Sequence, residues 1–319
     1  MVATMPSTAD AAAYRTIDVR PLTLRIGAEI RGVDLKSPLP PAVVQEIRAA
    51  FVAWKVVFFR NQHLDHAQHV AFARQFGEPT IGHPVFGHED AFPEVYPVAK
   101  RRTAIAHQDT APATPWKGWH TDITAAVNPP MASILRGVTI PPYGGDTWWT
   151  DLAAAYLGLS EPMRRFVETL RGVHRFAAAG GGPSEYDAVV KRRLMVTEHP
   201  LVTVHPDSGE RVLFVSPNFL KSVVGLSPRE SQKLLELLWE HAVRPEYTVR
   251  FKWEAGDIAF WDNRSTAHLA PVDIFESDFD RQLYRITLVG KPMLGVDGVP
   301  SRAIEGTPIL SCTAELARS

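Results

Sequence analysis

Trp119-His120-Thr121-Asp122 runs on toward Ala132-Ser133-Ile134-Leu135-Arg136-Gly137-Val138 and then the pair Gly144-Gly145. The run from Ala132 is short, mostly apolar and followed by a turn signal, the pattern of a buried strand. Residues 55–59 form another short apolar run, 20–35 read as short strands around Gly27 and Gly32, and 247–251, 258–261 and 283–289 are further strands separated by Gly-Asp and Pro signals. Helical spacing is confined to 41–54, 65–76, 152–171 and 227–242. A doubly wound parallel sheet needs strand and helix in regular alternation, which this chain lacks. Many short strands, with helices gathered in the first third and in two insertions, predict a mainly β fold with helical additions, a β-sandwich or jelly roll.

Local signals place the helix ends. Asp65 with Gln68 three residues on reads as a capping box, and Gly77 offers a left-handed stop for the same helix. Ser227, Pro228 and Glu230 mark a helix start, with Leu234, Leu235, Leu237 and Leu238 as its apolar face over a sheet. A Pro-rich irregular stretch spans 79–115, and the glycine-rich segment 177–183 reads as a surface loop or a lid.

Composition narrows the function. With Lys+Arg 34 against Asp+Glu 35 the chain is nearly neutral, so it carries no electrostatic footprint for nucleic acid. No apolar run reaches the length of a membrane span, and no basic-then-apolar leader opens the sequence. The lone Cys312 cannot form an internal disulfide, which fits a reducing cytoplasm. Residues 1–16 read as a disordered N-terminus ahead of a single domain, 17–319.

His120 and Asp122 are spaced i and i+2, so on an extended strand both side chains share a face and can reach one ion. His-x-Asp recurs at His63/Asp65, His88/Asp90, His107/Asp109 and His205/Asp207. The first starts a helix, the last lies in the turn His205-Pro206-Asp207-Ser208-Gly209-Glu210, where Asp207 is read as stabilising the turn, and the other two sit in polar, Pro-containing stretches. Only His120/Asp122 precedes a buried-type run. Trp261-Asp262-Asn263-Arg264 and then His268 supply a second imidazole far downstream. Two His and one carboxylate suit non-haem Fe(II) with positions left open, whereas structural zinc is closed by four ligands rich in Cys.

With these residues in view, the chain resembles the taurine dioxygenase family of Fe(II)- and 2-oxoglutarate-dependent oxygenases from about Leu22 to Pro292. The stretches that carry the resemblance are Gly27-Ala28-Glu29-Ile30-Arg31-Gly32-Val33-Asp34-Leu35, Val56-Val57-Phe58-Phe59-Arg60, Trp119-His120-Thr121-Asp122, Gly144-Gly145-Asp146-Thr147 and Trp261-Asp262-Asn263-Arg264 leading to His268. The resemblance implies a double-stranded β-helix, a cupin-like jelly roll, with His120, Asp122 and His268 as catalytic iron ligands. It implies Thr147 and Arg281 as partners of the far carboxylate of 2-oxoglutarate, Arg285 at the anionic head of the substrate, and His83 as a further substrate-binding residue. It further implies Fe(II), 2-oxoglutarate and O2 as cofactor and co-substrates, a small anionic organosulfur substrate (taurine, an alkylsulfonate or an alkyl sulfate), and a dimer or tetramer. The reaction implied is hydroxylation of the carbon beside the sulfur-bearing group, releasing sulfite or sulfate plus an aldehyde, succinate and CO2.

Two positions depart from taurine-specific relatives. Where those place a Tyr and an Asn near the substrate amine, this chain has Phe86 and Trp116, while His83 is retained. Two apolar rings disfavour a buried ammonium and favour an alkyl or aryl body. Trp119, Asp262 and Asn263 are candidates for orienting the ligands, alongside packing and turn roles. Competing readings are an oxygenase for a carboxylate such as a phenoxyalkanoate, a non-catalytic metal and keto-acid sensor, and a hydrolytic zinc enzyme.

Overall fold

The computed structural model describes residues 14–99, 114–176, 193–270 and 272–318. The glycine-rich segment 177–183, His107/Asp109 and most of the expected disordered N-terminus lie outside the described residues. A sheet of seven strands has the order β1 (Asp18–Pro21), β2 (Ala28–Arg31), β3 (Val56–Phe59), β13 (Ile258–Asp262), β5 (Ala132–Thr139), β15 (Gln282–Leu288), β4 (Tyr96–Ala99), and only β2 and β3 run parallel. Facing it lies a sheet of β12 (Thr248–Phe251), β6 (Thr147–Asp151) and β14 (Thr266–Leu269). A third sheet joins β11 (Leu220–Val223), β7 (Arg171–Arg175), β8 (Val196–Pro200) and β17 (Arg302–Glu305), and a fourth joins β10 (Arg211–Leu213), β9 (Val202–Val204) and β16 (Leu294–Gly295). The predicted mainly β jelly roll with helical additions is the architecture found.

Period-two alternation sorts the two faces of the large sheet. Ile134, Phe260, Ile286 and Leu288 join the core under α1 (Pro41–Trp54) and α2 (His66–Arg74). Leu135, Ala259, Trp261 and Leu283 point the other way and pack with Phe58, Trp149 and Phe251 between the two facing sheets. Phe58 and Phe251 stack at 4.0 Å, and burying each ring contributes roughly 1.5–3 kcal/mol. This second layer is the floor of the site.

Asp65 and Gln68 close the expected capping box of α2, but Gly77 is not left-handed and the helix ends at Arg74. A left-handed stop occurs instead after α1, at Lys55, with φ 65°. The helix expected over 152–171 is two helices, α3 (Leu152–Gly158) and α4 (Glu161–Val167), followed by β7. Pro162 accounts for the break: it has no N–H for the carbonyl four residues back and its ring would clash there in a continuous helix, so α4 starts afresh behind Ser160 with the proline in its first turn. The longest helix, α5 (Pro228–Ala242), has the Ser227/Glu230 capping box; Leu235 and Leu238 are buried, while Leu237 faces outward. Residues 201–215 form the β9–β10 hairpin, whose turn is held by the His205 imidazole, because Nδ1 accepts from the N–H groups of Asp207 and Ser208. Asp207, expected to stabilise that turn, instead pairs with Arg264 at 2.7 Å. The short α6 (Cys312–Leu316) ends the described chain.

Candidate metal centre and co-substrate pocket

The segment carrying His120 is stitched to β14 by a two-way backbone bridge. His120 N–H donates to His268 O at 2.9 Å and His268 N–H to His120 O at 2.7 Å. Two residues that are 148 apart in sequence thus lie side by side, and Asp122, in the turn that follows this isolated bridge and not on the expected strand, comes within reach of both. Ile123 then takes φ 47°, a left-handed conformation costly for a β-branched residue, which turns the chain away directly after the carboxylate. The imidazole Nε2 atoms of His120 and His268 lie 4.0 and 3.9 Å from Asp122 Oδ1. All three ligand atoms fall within 4.8 Å of one another, the one such cluster of His, Cys, Asp or Glu among the described residues.

Hydrogen bonds fix which atoms face inward. The Gly118 carbonyl lies 3.0 Å from His120 Nδ1 and can only accept, so Nδ1 carries the proton and Nε2 presents its lone pair. Burial pushes both imidazoles below their ordinary range, so they are neutral at pH 7. Burial alone would raise the Asp122 carboxyl, but the Arg285 guanidinium at 2.6 Å and the Ser133 hydroxyl at 2.6 Å hold it well below the usual carboxylate range. Two neutral nitrogen donors and one ionised oxygen donor, with no thiolate, match the donor set of a divalent ion that keeps open positions.

Ser133 was not singled out in the sequence, where it reads as one more residue of a buried strand. Its hydroxyl bonds Asp122 Oδ2 and receives Asn263 Nδ2 at 2.9 Å, and Asn263 Oδ1 receives Trp261 Nε1 at 3.0 Å. Trp261 also packs on the His268 ring, 4.9 Å between centroids. Asp262 points to the opposite face, where it bonds Arg264 through both oxygens and His205 at 3.0 Å. Trp119 packs among the apolar residues around α3 and α5. Of the three ligand-orienting candidates, Asn263 is the one with a hydrogen-bonded path to a ligand.

On β6, Trp149 lies opposite His268, and Thr147 is two residues earlier on the same face, about 7 Å along the strand. The Thr147 hydroxyl accepts from Trp253 Nε1 at 2.9 Å, which leaves its own proton for another acceptor. Arg281 is buried, and its Nε donates to the Gly145 carbonyl at 3.1 Å. Burial lowers this guanidinium to about 10 despite the carboxylates of Asp273 and Asp146 nearby. Gly145, at φ 67°, lets the chain pass close to Arg281: a Cβ there would sit 3.0 Å from its Cδ. A buried cation whose terminal amino groups have no protein acceptor among the described residues is suited to an incoming carboxylate.

On the other flank, His83 Nδ1 accepts from the N–H groups of Val85 and Phe86, so its proton sits on Nε2. Burial, then the charge of Arg285, lowers this imidazole to about 3. Arg285 lies 5.3 Å from the Tyr96 ring centroid, and its buried Nε has no partner among the described residues. Phe86 stacks on His83 at 4.4 Å and, with Phe176 and Phe219, borders an apolar cluster containing Val85, Ile123 and Met195. Trp116 is placed against Trp239 of α5, 6.1 Å between centroids. The structure therefore brings His83, Phe86, Arg285 and the His120–Asp122–His268 set into one region, with Tyr96, Phe176 and Phe219 as members that periodicity alone did not single out.

The sequence matches the family described as taurine catabolism dioxygenase TauD, TfdA over residues 18–287. It is similar to an alpha-ketoglutarate-dependent sulfate ester dioxygenase of Pseudomonas putida, 43% identical across 90% of this chain and 94% of that one. It is also similar to an alkylsulfatase of Acinetobacter baylyi, 38% identical across 90% and 89%. A crystal structure of a taurine dioxygenase from Burkholderia xenovorans superposes with a TM-score of 0.82 at 63% identity, covering 92% of this chain and 96% of that chain.

Proposed function

The chain belongs to the taurine catabolism dioxygenase TauD, TfdA family, and from that premise we propose the chemistry of its site. It is a 2-oxoglutarate-dependent dioxygenase that hydroxylates the carbon next to the sulfonate or sulfate ester group of a small organosulfur substrate. The products are sulfite or sulfate plus an aldehyde, with succinate and CO2 from the keto acid. The observation that carries the reading is the buried convergence of His120, Asp122 and His268 beside Arg285. Ferrous iron is the ion proposed for these three ligands, and when bound it supplies the activation of O2 for C–H oxidation.

The protein's own residues bind, orient and exclude water. Thr147 and Arg281 would hold the far carboxylate of 2-oxoglutarate, one through a free hydroxyl proton and the other through its unused amino groups. The proton on His83 Nε2 and the unpartnered Nε–H of Arg285 would hold the anionic head of the substrate. Phe86 with Phe176 and Phe219 would cover an apolar tail, at roughly 25 cal/mol per Å² removed from water. Among the described residues that ring cluster holds no hydroxyl to greet an amine, so sulfate esters or sulfonates with an apolar tail are the proposed class, ahead of taurine.

Turnover under air with ferrous iron and 2-oxoglutarate, using a series of alkyl sulfates, alkylsulfonates, taurine and phenoxyalkanoates, tests this. Succinate should form in step with sulfate or sulfite and an aldehyde for apolar organosulfur substrates. Succinate coupled only to phenoxyalkanoates, or product formed without O2, would overturn the proposal.

A further inference from the structure

The polar chain behind Asp122 has a single permitted direction. An indole N–H can only donate, so Trp261 Nε1 at 3.0 Å makes the nearer side-chain atom of Asn263 its oxygen. The Asn263 amide nitrogen then faces Ser133 Oγ at 2.9 Å, and the hydroxyl must accept there. A hydroxyl has one proton, and with its acceptor side occupied Ser133 sends that proton to Asp122 Oδ2 at 2.6 Å. Trp261, Asn263 and Ser133 are each 1% exposed or less, so water does not compete for these bonds. The other carboxylate oxygen, Oδ1, is the one that faces both imidazoles, and it also accepts from the Arg285 guanidinium at 2.6 Å.

We propose that Ser133 and Asn263 are positioning residues that commit Asp122 to a metal through Oδ1 alone. With Oδ2 tied back, the carboxylate would offer a metal one oxygen and would leave room at the site for keto acid and O2. Ser133 acts directly on the carboxylate; Asn263 acts through Ser133 by fixing which way its proton points. Trp261 closes the arrangement at the far end, since the same indole that starts the chain packs against the His268 ring. One residue thereby bears on the orientation of two ligands, His268 on β14 and Asp122 in the turn after His120.

The inference rests on the metal-site reading above, and the test keeps the two apart. Co(II) binding is measured by calorimetry on the protein without added iron for the wild type, Ser133→Ala, Asn263→Ala and the double variant, with thermal unfolding of each metal-free protein alongside. Failure of the wild type to bind Co(II) would sink the metal site itself. Given wild-type binding, Ser133→Ala should weaken Co(II) affinity by about 10- to 100-fold, the usual range for groups that orient a ligand. Asn263→Ala should add little further loss in the Ser133→Ala background, because it works through the same hydroxyl. Unchanged affinity in Ser133→Ala, or penalties that simply add in the double variant, would overturn the inference. Ser133→Ala removes a single oxygen, so if Asn263→Ala fails to fold the serine variant still decides the question.

Discussion

Replacing Arg281 by Ala should cost the enzyme its grip on 2-oxoglutarate while leaving the organosulfur substrate nearly untouched. The magnitude comes from the state of the guanidinium before the keto acid arrives. Burial has lowered it from the ordinary guanidinium value to about 10, even with Asp273 and Asp146 acting the other way. At about 1.4 kcal/mol per pH unit, that is on the order of 3 kcal/mol of unfavourable burial. A carboxylate that pairs with the free amino groups recovers most of it, so its loss should raise the 2-oxoglutarate dissociation constant by roughly 10²-fold. Arg281→Lys keeps a charge but loses the fork, and should fall between wild type and Ala. Calorimetric titration of 2-oxoglutarate into the Co(II)-loaded protein reads this directly, and the KM for an alkyl sulfate at saturating keto acid supplies the contrast. A 2-oxoglutarate affinity within threefold of wild type, or an equal loss for both ligands, would refute the assignment.

Arg285→Ala should do the reverse, weakening the organosulfur substrate more than 2-oxoglutarate in the same pair of measurements, because His83 and the unpartnered Nε of Arg285 face the other flank. Asp122→Ala should weaken metal binding by more than about 10²-fold in calorimetry while the far-UV circular dichroism stays that of the wild type. Phe86→Tyr restores a hydroxyl next to His83 and should shift kcat/KM toward taurine over an alkyl sulfate by roughly tenfold, the worth of one hydrogen bond. Stability should fall on acidification: burial lowers His69 to about 3 and His199 to about 4. Below the ordinary histidine value near 6.5 the unfolded chain takes up protons that the native state refuses, so each residue loses about 2 kcal/mol between pH 7.5 and pH 5. Urea midpoints that stay flat over that interval would contradict it.

Much of the site could be read from residue order because its parts are local. His120 and Asp122 stand two apart and converge, although a bridge and a turn carry them in place of the expected strand, and their position ahead of a buried run separates them from four other His-x-Asp pairs. The capping boxes of α2 and α5 also follow from residues three apart. Errors arose where a local signal competed with a neighbour. Pro162 split an apparently continuous helix, and Asp207 was drawn off its own turn by Arg264.

The sequence by itself determined the chemistry on offer: two imidazoles, one carboxylate, two arginines four residues apart, and a mainly β pattern with no membrane-length run. The family resemblance added the expectation of Phe86 and Trp116 in place of a tyrosine and an asparagine; the structure sets Phe86 on His83 and Trp116 against Trp239. Only the tertiary structure decided which atoms meet. Ser133 and Trp253 carry no motif, and they enter the site because β5 lies beside β13 and because Trp253 follows β12, the neighbour of β6. Hydrogen-bond direction depends on distances of about 3 Å across strands more than a hundred residues apart, and a linear pattern holds no such information.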